Sequence, residues 1–266
     1  MIKLKTITLV LLVGLSNNIF SQSGISHEIG VVAGPLEFRS DYGQRDNEKT
    51  NTGNVGFAFG IIDYMTFSYR DNYSESYFRE HCRIKNELSY SKTDLKHFGK
   101  WVDNNSNSLG VKQLRAMYGS TQLLNLGSQL EFYPLNIHQF ERSYGCYTFG
   151  PYIGLGAQVS YYTATAASTL GELGSPSTTF PKYLIPSDGH PHGYSNESKV
   201  VLSGVVNIGT RYKLTPLSDL LLNVQVQYFN SDWVDGLNPN KDFYEENKDY
   251  DSTVWIALGY IYYLDN

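Results

Sequence analysis

The sequence has little charge, little cysteine and no long apolar run. Charged residues occupy 18% of its 266 positions, below the roughly 25% of an average globular protein. No stretch of eighteen apolar residues follows the first twenty positions, which argues against helical membrane spans. The net charge of -5 argues against nucleic acid as a partner, because that interaction needs a clustered basic surface.

Aromatic residues and glycine are abundant instead. The chain holds 22 tyrosines, 13 phenylalanines and 24 glycines. Tyrosine and phenylalanine are enriched in strands, so this composition favours β structure. The length suits one large all-β domain or two small ones.

The first residues have the pattern of an export signal. Met1 to Lys5 is basic, Ile7 to Leu15 is mostly apolar, and a cleavage site fits between Ser21 and Gln22. No cysteine lies near that site, which argues against a lipoprotein anchor. We predict a signal peptide at 1–21 and one domain at 22–266.

A period of two runs through the rest of the chain, most clearly between Lys199 and Asn230. Successive residues of a strand point to opposite faces, so such a run predicts a strand with one apolar and one polar face. The apolar set in this stretch is Val200, Leu202, Val206, Ile208, Tyr212, Leu220, Leu222, Val224, Val226 and Tyr228, and the polar set includes Ser203, Asn207, Arg211, Asn223, Gln225 and Gln227.

The same pattern predicts eight strands, each long enough for the roughly 9–11 residues that a tilted strand needs to cross a bilayer. They are His27–Pro35, Asn54–Arg70, Cys82–Ser91, Ser120–Tyr133, Tyr147–Tyr162, Lys199–Lys213, Leu220–Asn230 and Thr253–Leu264.

The connections between these strands alternate between long and short. Short turns on one side and longer loops on the other are typical of bacterial outer-membrane barrels, whose strand number is even. The long connections, placed outside, are Leu36–Gly53, Lys92–Gly119, Thr163–Ser198 and Ser231–Ser252, and the short ones are Asp71–His81, Pro134–Cys146 and Leu214–Asp219.

A soluble lipid-binding barrel alternates as well, with its apolar face turned inward. Three features favour the membrane barrel: small residues on the polar parity, aromatic residues near strand ends on the apolar parity, and charges of both signs on the polar parity. The charged residues, which we predict to pair as a plug inside the lumen, are Arg83, Lys85, Glu87, Glu131 and Arg211.

Asp63 does not fit the pattern, because it shares the parity of Val55, Phe57, Phe59 and Ile61 and would face lipid. Either the membrane portion of that strand ends at Ile62, which we favour, or a bulge near Ile61 switches the faces.

Cys82 and Cys146 are both predicted at the periplasmic rim. An exported chain can form a disulfide there, but the fourth strand lies between their strands, and bridging needs Cα atoms within about 7 Å. The sequence leaves a bridge and two unpaired cysteines open.

The sequence indicates neither a metal site nor a catalytic site. Asp232, Asp235, Asn238 and Asn240 offer oxygen ligands for Ca²⁺, but their spacing does not match a calcium loop, and these residue types also form turns. His190, His192 and Asp188 lack a third fixed metal ligand of the kind that zinc requires. No G-x-S-x-G, H-E-x-x-H or strand-linked G-x-G-x-x-G is present. We therefore predict no metal site, no cofactor and no enzymatic activity.

The chain resembles a family of uncharacterised outer-membrane β-barrel proteins from flavobacteria and related Bacteroidota. The resemblance covers most of the chain after the signal and implies location and architecture, but no functional residues. It is carried by Ser26–Pro35, Ser40–Arg45, Gly99–Asp103, Leu114–Thr121, Gly209–Leu222, Asp232–Asn240 and Gly259–Leu264.

We therefore predict an all-β protein, an eight-stranded antiparallel up-and-down transmembrane β-barrel of the outer membrane, in contact with its lipid. Its role is structural or interactive, and we expect its outer loops to contact an envelope protein through Trp101, Trp233, Asp232 and Asp235. A barrel-embedded enzyme acting on lipid or an envelope polymer and a small pore are the alternatives.

Overall fold

Eight antiparallel strands close into one barrel in which each strand pairs with its sequence neighbours and the last pairs with the first. This computed structural model describes residues 25–43, 47–67, 77–102, 106–141, 148–244 and 250–264. The predicted fold and all eight predicted strands are confirmed, while the predicted signal peptide at 1–21 lies outside the described residues. The strands are β1 (Ile25–Arg39), β2 (Val55–Phe67), β3 (Cys82–Lys96), β4 (Met117–Phe132), β5 (Phe149–Ser168), β6 (Ser198–Thr215), β7 (Ser218–Phe229) and β8 (Ser252–Tyr263).

Short helices lie in the connections. They are α1 (Glu48–Asn51), α2 (Tyr77–His81), α3 (Leu109–Ala116) and α4 (Ile137–Glu141), with 3₁₀ turns at Gly99–Val102 and Pro181–Leu184. Among the described residues, no helix has both the length and the apolar character needed to cross a membrane.

Several strands are longer at their outer ends than the pattern predicts. β3 continues to Lys96 instead of Ser91, and β5 runs for 20 residues to Ser168. The alternation of apolar and polar residues stops at the edge of the apolar band, but the hydrogen-bonded pairing of neighbouring strands continues, for example between Lys96 on β3 and Tyr118 on β4. The strands therefore extend beyond the apolar outer band and support the outer loops.

The stagger of the strands sets the width of the barrel. Following paired residues once around the barrel from Glu28 ends at Phe38, ten residues further along β1. With a rise of about 3.3 Å and a strand spacing of about 4.8 Å, this stagger gives a tilt of about 40° and a backbone radius of about 8 Å. Side chains fill an interior of that width. The intervening pairs are Glu28–Tyr64, Tyr64–Lys85, Lys85–Gln129, Gln129–Gly156, Gly156–Val205, Val205–Gln227, Gln227–Thr253 and Thr253–Phe38.

The aliphatic parity faces outward, as predicted. Leu155, Leu202 and Leu258 are 67, 62 and 67% exposed, whereas their neighbours on the other parity are largely buried. A continuous apolar band on the outside of a closed barrel is the surface that contacts lipid. The inward parity is less polar than predicted, since Ile62, Leu123, Leu221 and Ile261 also point inward and are buried.

Asp63 stays on the outer face. β2 pairs with β1 and β3 without a register shift there, which rules out the alternative of a bulge near Ile61. The Asp63 carboxylate lies 2.9 Å from His27 Nδ1 and accepts a hydrogen bond from Asn86 Nδ2 at 3.2 Å. Its polar atoms are therefore bonded within the wall itself. The end of the membrane portion at Ile62 stays a prediction.

Candidate functional site

Buried ion pairs cross the periplasmic half of the lumen. Arg83 Nη1 donates to both carboxylate oxygens of Glu28, at 2.7 and 2.9 Å, and Arg83 Nη2 donates to Glu141 at 2.6 Å. Arg211 donates to the same Glu28 carboxylate and, through Nε, to Asp219 at 2.8 Å. One carboxylate on β1 thus binds two guanidinium groups, from β3 and β6.

A second layer lies further up the lumen. The Lys85 ammonium is 3.0 Å from the Glu87 carboxylate, which also accepts hydrogen bonds from Gln158 and Gln225, both at 3.2 Å. Gln129 on β4 donates to Gln225 on β7 at 3.1 Å. In an eight-stranded barrel β3 lies opposite β7, so the bond from Gln225 to Glu87 spans the full width of the lumen, and the bond from Gln129 on the adjacent β4 crosses it beside that one.

The structure places all five residues of the predicted plug inside the barrel. Arg83, Lys85, Glu87, Glu131 and Arg211 are each at most 1% exposed. Their role in blocking the lumen stays a prediction.

Three partners of the plug, Glu28, Asp219 and Glu141, were missed by sequence reasoning. The inward parity that Glu28 and Asp219 share with their strands could have identified these two. Glu141 lies in a connection, where no such signal exists.

Helix α4 closes the periplasmic end of the lumen. Its Ile137 and Phe140 are 1 and 3% exposed, and Glu141 reaches Arg83. The Arg83 guanidinium also lies 5.2 Å from the ring centroid of Tyr133, just before the helix. Burial raises the pKa of Glu141 to about 7, although the attraction of Arg83 acts in the opposite direction.

The outer loops pack together into a cap over the other end of the barrel. Trp233, Val234 and Leu237 are 6, 0 and 0% exposed. The β5–β6 loop pairs with this segment through Ser195 N, which donates to Gly236 O at 2.9 Å, and Asn238 N, which donates to Gly193 O at 3.0 Å. The β7–β8 loop is therefore the core of the cap.

This arrangement corrects the predicted contact surface. Trp233, Asp232 and Asp235 are at most 8% exposed, so they are not available to a partner. The sequence shows only that they lie in a loop, whereas their burial depends on the loop folding back into the barrel mouth. Trp101, at 50% exposed, remains accessible on the outer side.

Two aspartates of the cap bind backbone amides. The Asp235 carboxylate accepts hydrogen bonds from Leu237 N and Asp41 N, both at 2.7 Å. Asp251 accepts from Val234 N at 2.9 Å and Asp235 N at 3.2 Å. Burial raises the pKa of Asp235 well above its usual value, and the Asp251 and Asp41 carboxylates raise it further.

The residues weighed as metal ligands take part in loop packing. His190 lies 3.5 Å from Glu197 and packs its ring 4.1 Å from that of Trp233, and His192 stacks on Tyr194 at 5.2 Å. Within the described ranges, no group of three or more histidine, cysteine, aspartate or glutamate side chains is arranged to hold a metal ion.

Cys82, the first residue of β3, is buried and forms no disulfide with any residue that the structure describes. Cys146 lies outside those residues, so the bridge and the two unpaired cysteines both stay predictions.

A cleft of about 210 Å³ opens in the cap, and all four outer loops line it. None of its residues except Trp101 was predicted as a site residue, because loop aromatics carry no periodic signal. The lining residues are Asp41, Tyr42, Gly43, His97, Phe98, Trp101, Leu114, Phe180, Lys182, Tyr183 and Tyr244.

Two basic groups bring polar character to this aromatic cleft. The Lys182 ammonium lies 5.1 Å from the ring centroid of Tyr183 and 5.9 Å from that of Tyr244. His97 Nδ1 donates to the carbonyl oxygen of Tyr42 at 2.9 Å. Burial and the nearby Lys182 lower the pKa of His97 to about 3, so its imidazole is neutral at physiological pH.

No protein-family model matches the chain, and no curated protein matches its sequence. Among solved structures, a major outer membrane protein from Thermus thermophilus is similar, with a TM-score of 0.45 and 10% identity over 90% of this chain and 100% of that one. Neisserial surface protein A gives a TM-score of 0.41 and 12% identity over 90% of this chain and 99% of its own. The attachment invasion locus protein of Yersinia pestis gives a TM-score of 0.40 and 12% identity over 91% of this chain and 99% of its own. Similarity at this level says nothing about activity, ligands or partners, and the fold assignment rests on the strand pairing.

The architecture itself fixes the location. A closed barrel satisfies every backbone group inside a bilayer, and its outer wall here carries the apolar band that lipid requires. An even strand number, with the three longest connections gathered at one end, is typical of bacterial outer-membrane barrels. The chain is an outer-membrane β-barrel with a folded cap on its outer side.

Proposed function

We propose that the protein is a non-enzymatic interaction protein whose outer cap binds a partner, while its barrel serves as a closed membrane anchor. The observation that carries this proposal is the set of hydrogen bonds across the lumen, above all that from Gln225 on β7 to Glu87 on the opposite strand β3. These bonds connect the walls of the barrel and leave the interior to side chains instead of to a transported solute.

The tight packing of the outer cap also supports the proposal. The buried Trp233 and the two aspartates that each bind two backbone amides hold the loops in one conformation, which lowers the entropy lost when a partner binds. The exposed Trp101 and the helix α3, whose Leu109 is 63% exposed, then form a preformed contact surface.

We also propose that the chain belongs to the Bacteroidota family of outer-membrane barrels that its sequence resembles. Two of the resembling segments have defined roles in this fold. Asp232–Asn240 forms the core of the cap, and Gly209–Leu214 carries Arg211 of the lumen network. Residues that hold the cap and the lumen together are those that a shared architecture would retain.

A small pore and a barrel-embedded enzyme are the competing functions. The cross-lumen bonds oppose a pore. An enzyme needs a nucleophile and a base within hydrogen-bond reach of each other beside an accessible cleft. In the described part of the outer cleft, the neutral His97 has Tyr42 and Tyr183 as ring neighbours, and neither is an activated nucleophile.

Site-specific photocrosslinking in outer membranes tests the proposal. A crosslinking residue in place of Trp101 or Leu109 should give a discrete adduct with an envelope protein. The same residue in place of Tyr77, which is 66% exposed at the periplasmic end, is the matched control. Point replacements suit this test better than loop deletion, because deleting the β7–β8 loop removes the core of the cap. Equal labelling at both ends, or none at the outer positions, would refute the proposal.

A further inference from the structure

We propose that the outer cleft beside Trp101 is a binding site for an uncharged sugar ring, a pyranose unit of an extracellular oligosaccharide. This inference rests on the proposed function, because it gives the outer cap a ligand class. It is carried by three properties of the cleft: its size, its aromatic walls and a buried hydrogen-bond acceptor.

The size of the cleft suits one substituted ring. Its volume is about 210 Å³. A protein cavity of about 150 Å³ holds benzene, so this cleft has room for a six-membered ring with its hydroxyl groups. Ligand pockets for larger molecules run from about 300 Å³ upward. Further sugar units of a chain would therefore lie outside, on the cap surface.

The walls are aromatic and come from three separate loops. Phe98 and Trp101 follow β3, Phe180 and Tyr183 lie between β5 and β6, and Tyr244 follows β7. An aromatic face carries partial negative charge and attracts the partly positive C–H groups on the face of a pyranose. The Lys100 ammonium lies over one face of the Trp101 ring, 4.7 Å from its centroid, and the sugar would stack on the opposite face.

His97 supplies the acceptor. Its Nδ1 donates to the carbonyl of Tyr42, so the proton of the neutral ring is on Nδ1 and Nε2 carries a lone pair. Nε2 is buried and, within the described residues, has no hydrogen-bond partner. An unsatisfied buried polar atom is costly, so a ligand hydroxyl that donates to it would be bound favourably.

That acceptor separates the candidate ligands. A carboxylate or a sulfate cannot donate a proton to Nε2, and an acyl chain would leave it unsatisfied. A sugar offers hydroxyl groups that both donate and accept. One can donate to His97 and another can accept from the Lys182 ammonium, which has three N–H donors. A neutral pyranose therefore engages both basic groups of the cleft and its aromatic walls.

The test is a titration of the purified full-length protein in nanodiscs with maltose, cellobiose and lactose as neutral probes. Trp101 is the exposed tryptophan of the cap, since Trp233 and Trp255 are buried. Binding should therefore change its fluorescence and protect it from acrylamide. The charged probe is digalacturonate, and the apolar ring probe is toluene.

We expect saturable binding of at least one neutral disaccharide. Trp101→Ala should weaken it about 5- to 150-fold, the range that corresponds to the roughly 1–3 kcal/mol of a nucleic-acid base stacked on an aromatic ring. His97→Leu should also weaken it, with calorimetry as the readout for both variants. The control Phe243→Ala removes a 70%-exposed aromatic next to Tyr244 that does not line the cleft, and should leave binding unchanged. Heat-modifiable migration on a gel confirms that each variant folds.

Three outcomes would overturn the inference: no neutral sugar binds, Trp101→Ala binds as well as Phe243→Ala, or digalacturonate or toluene saturates the cleft while the neutral sugars do not. The proposed function is judged separately by crosslinking. If outer crosslinks form while no sugar binds, only the sugar inference fails. If sugar binds without outer crosslinks, the cap binds a glycan and the proposed protein partner is wrong.

Discussion

Arg83 Nη1 donates to both carboxylate oxygens of Glu28 in the barrel interior, where the two side chains are 0 and 2% exposed. Taking two charges out of water is costly, and their attraction compensates only when the other polar atoms are also bonded. Here Glu28 is shared with Arg211, and Arg83 also binds Glu141. These residues therefore form one connected network, and removing Arg83 takes a partner from both Glu28 and Glu141.

Arg83→Met should lower the free energy of unfolding by about 3–5 kcal/mol, because Glu28 and Glu141 lose a buried partner. Urea titration of the protein in lipid vesicles measures this. The matched control is Lys199→Met, whose ion pair with Glu197 at 2.7 Å lies at the surface, with the lysine 53% exposed. That change should cost no more than about 1 kcal/mol. Equal losses of unfolding free energy at the two positions would show that the buried Arg83–Glu28 pair contributes no more to stability than the surface Lys199–Glu197 pair.

Wild-type protein in a planar bilayer should give no current steps above leak. Phe140→Ala should also stay silent, since it opens only the α4 end, while the Gln129–Gln225 and Glu87–Gln225 bonds still cross the lumen further up. The control is the same bilayer with empty vesicles. Steady ohmic conductance from the wild type would make the protein a pore.

Docking of α4 should weaken as pH rises. The pKa of Glu141 is raised from 4.5 to about 7, so the folded state favours the protonated carboxyl. This contribution to stability is fully present below about pH 4.5 and is lost as pH rises through about 7. Amide hydrogen exchange across 137–141 should therefore be faster at pH 8 than at pH 5, after correction for the intrinsic rate. Glu141→Gln should remove the pH dependence, whereas Glu172→Gln in an outer loop should not. A pH-independent wild type would contradict the expectation.

Gly127→Ala should destabilise the barrel by about 1–3 kcal/mol through overpacking. A Cβ at this position would lie 2.3 Å from the backbone oxygen of Ala157 on the neighbouring strand, which cannot move aside. Gly204 is the matched control, because a Cβ there meets nothing within 4 Å. Gly204→Ala should be neutral by urea titration, and equal losses at both sites would contradict the close approach at Gly127.

The candidate site was predictable only in part. Trp101 was predicted as an outer contact and lines the cleft, but its neighbours His97 and Lys182 were not identified, because each lies in a different loop without a periodic pattern. The same lack of a periodic pattern in the loops explains why Trp233 and Asp235 were predicted as partner contacts although they are buried. An aromatic and an acid in a polar loop indicate an exposed surface, unless the loop folds back into the barrel mouth.

The period-two pattern of the sequence determined the number of strands, their order and which face meets lipid. These follow locally, since alternation along a strand decides which side chains point outward regardless of what lies across the barrel. Only the tertiary structure decided that Arg83 and Arg211 share Glu28, and that four loops enclose one cleft. Those relationships depend on the ten-residue stagger and on loops that meet above the barrel, so they join residues far apart in the chain.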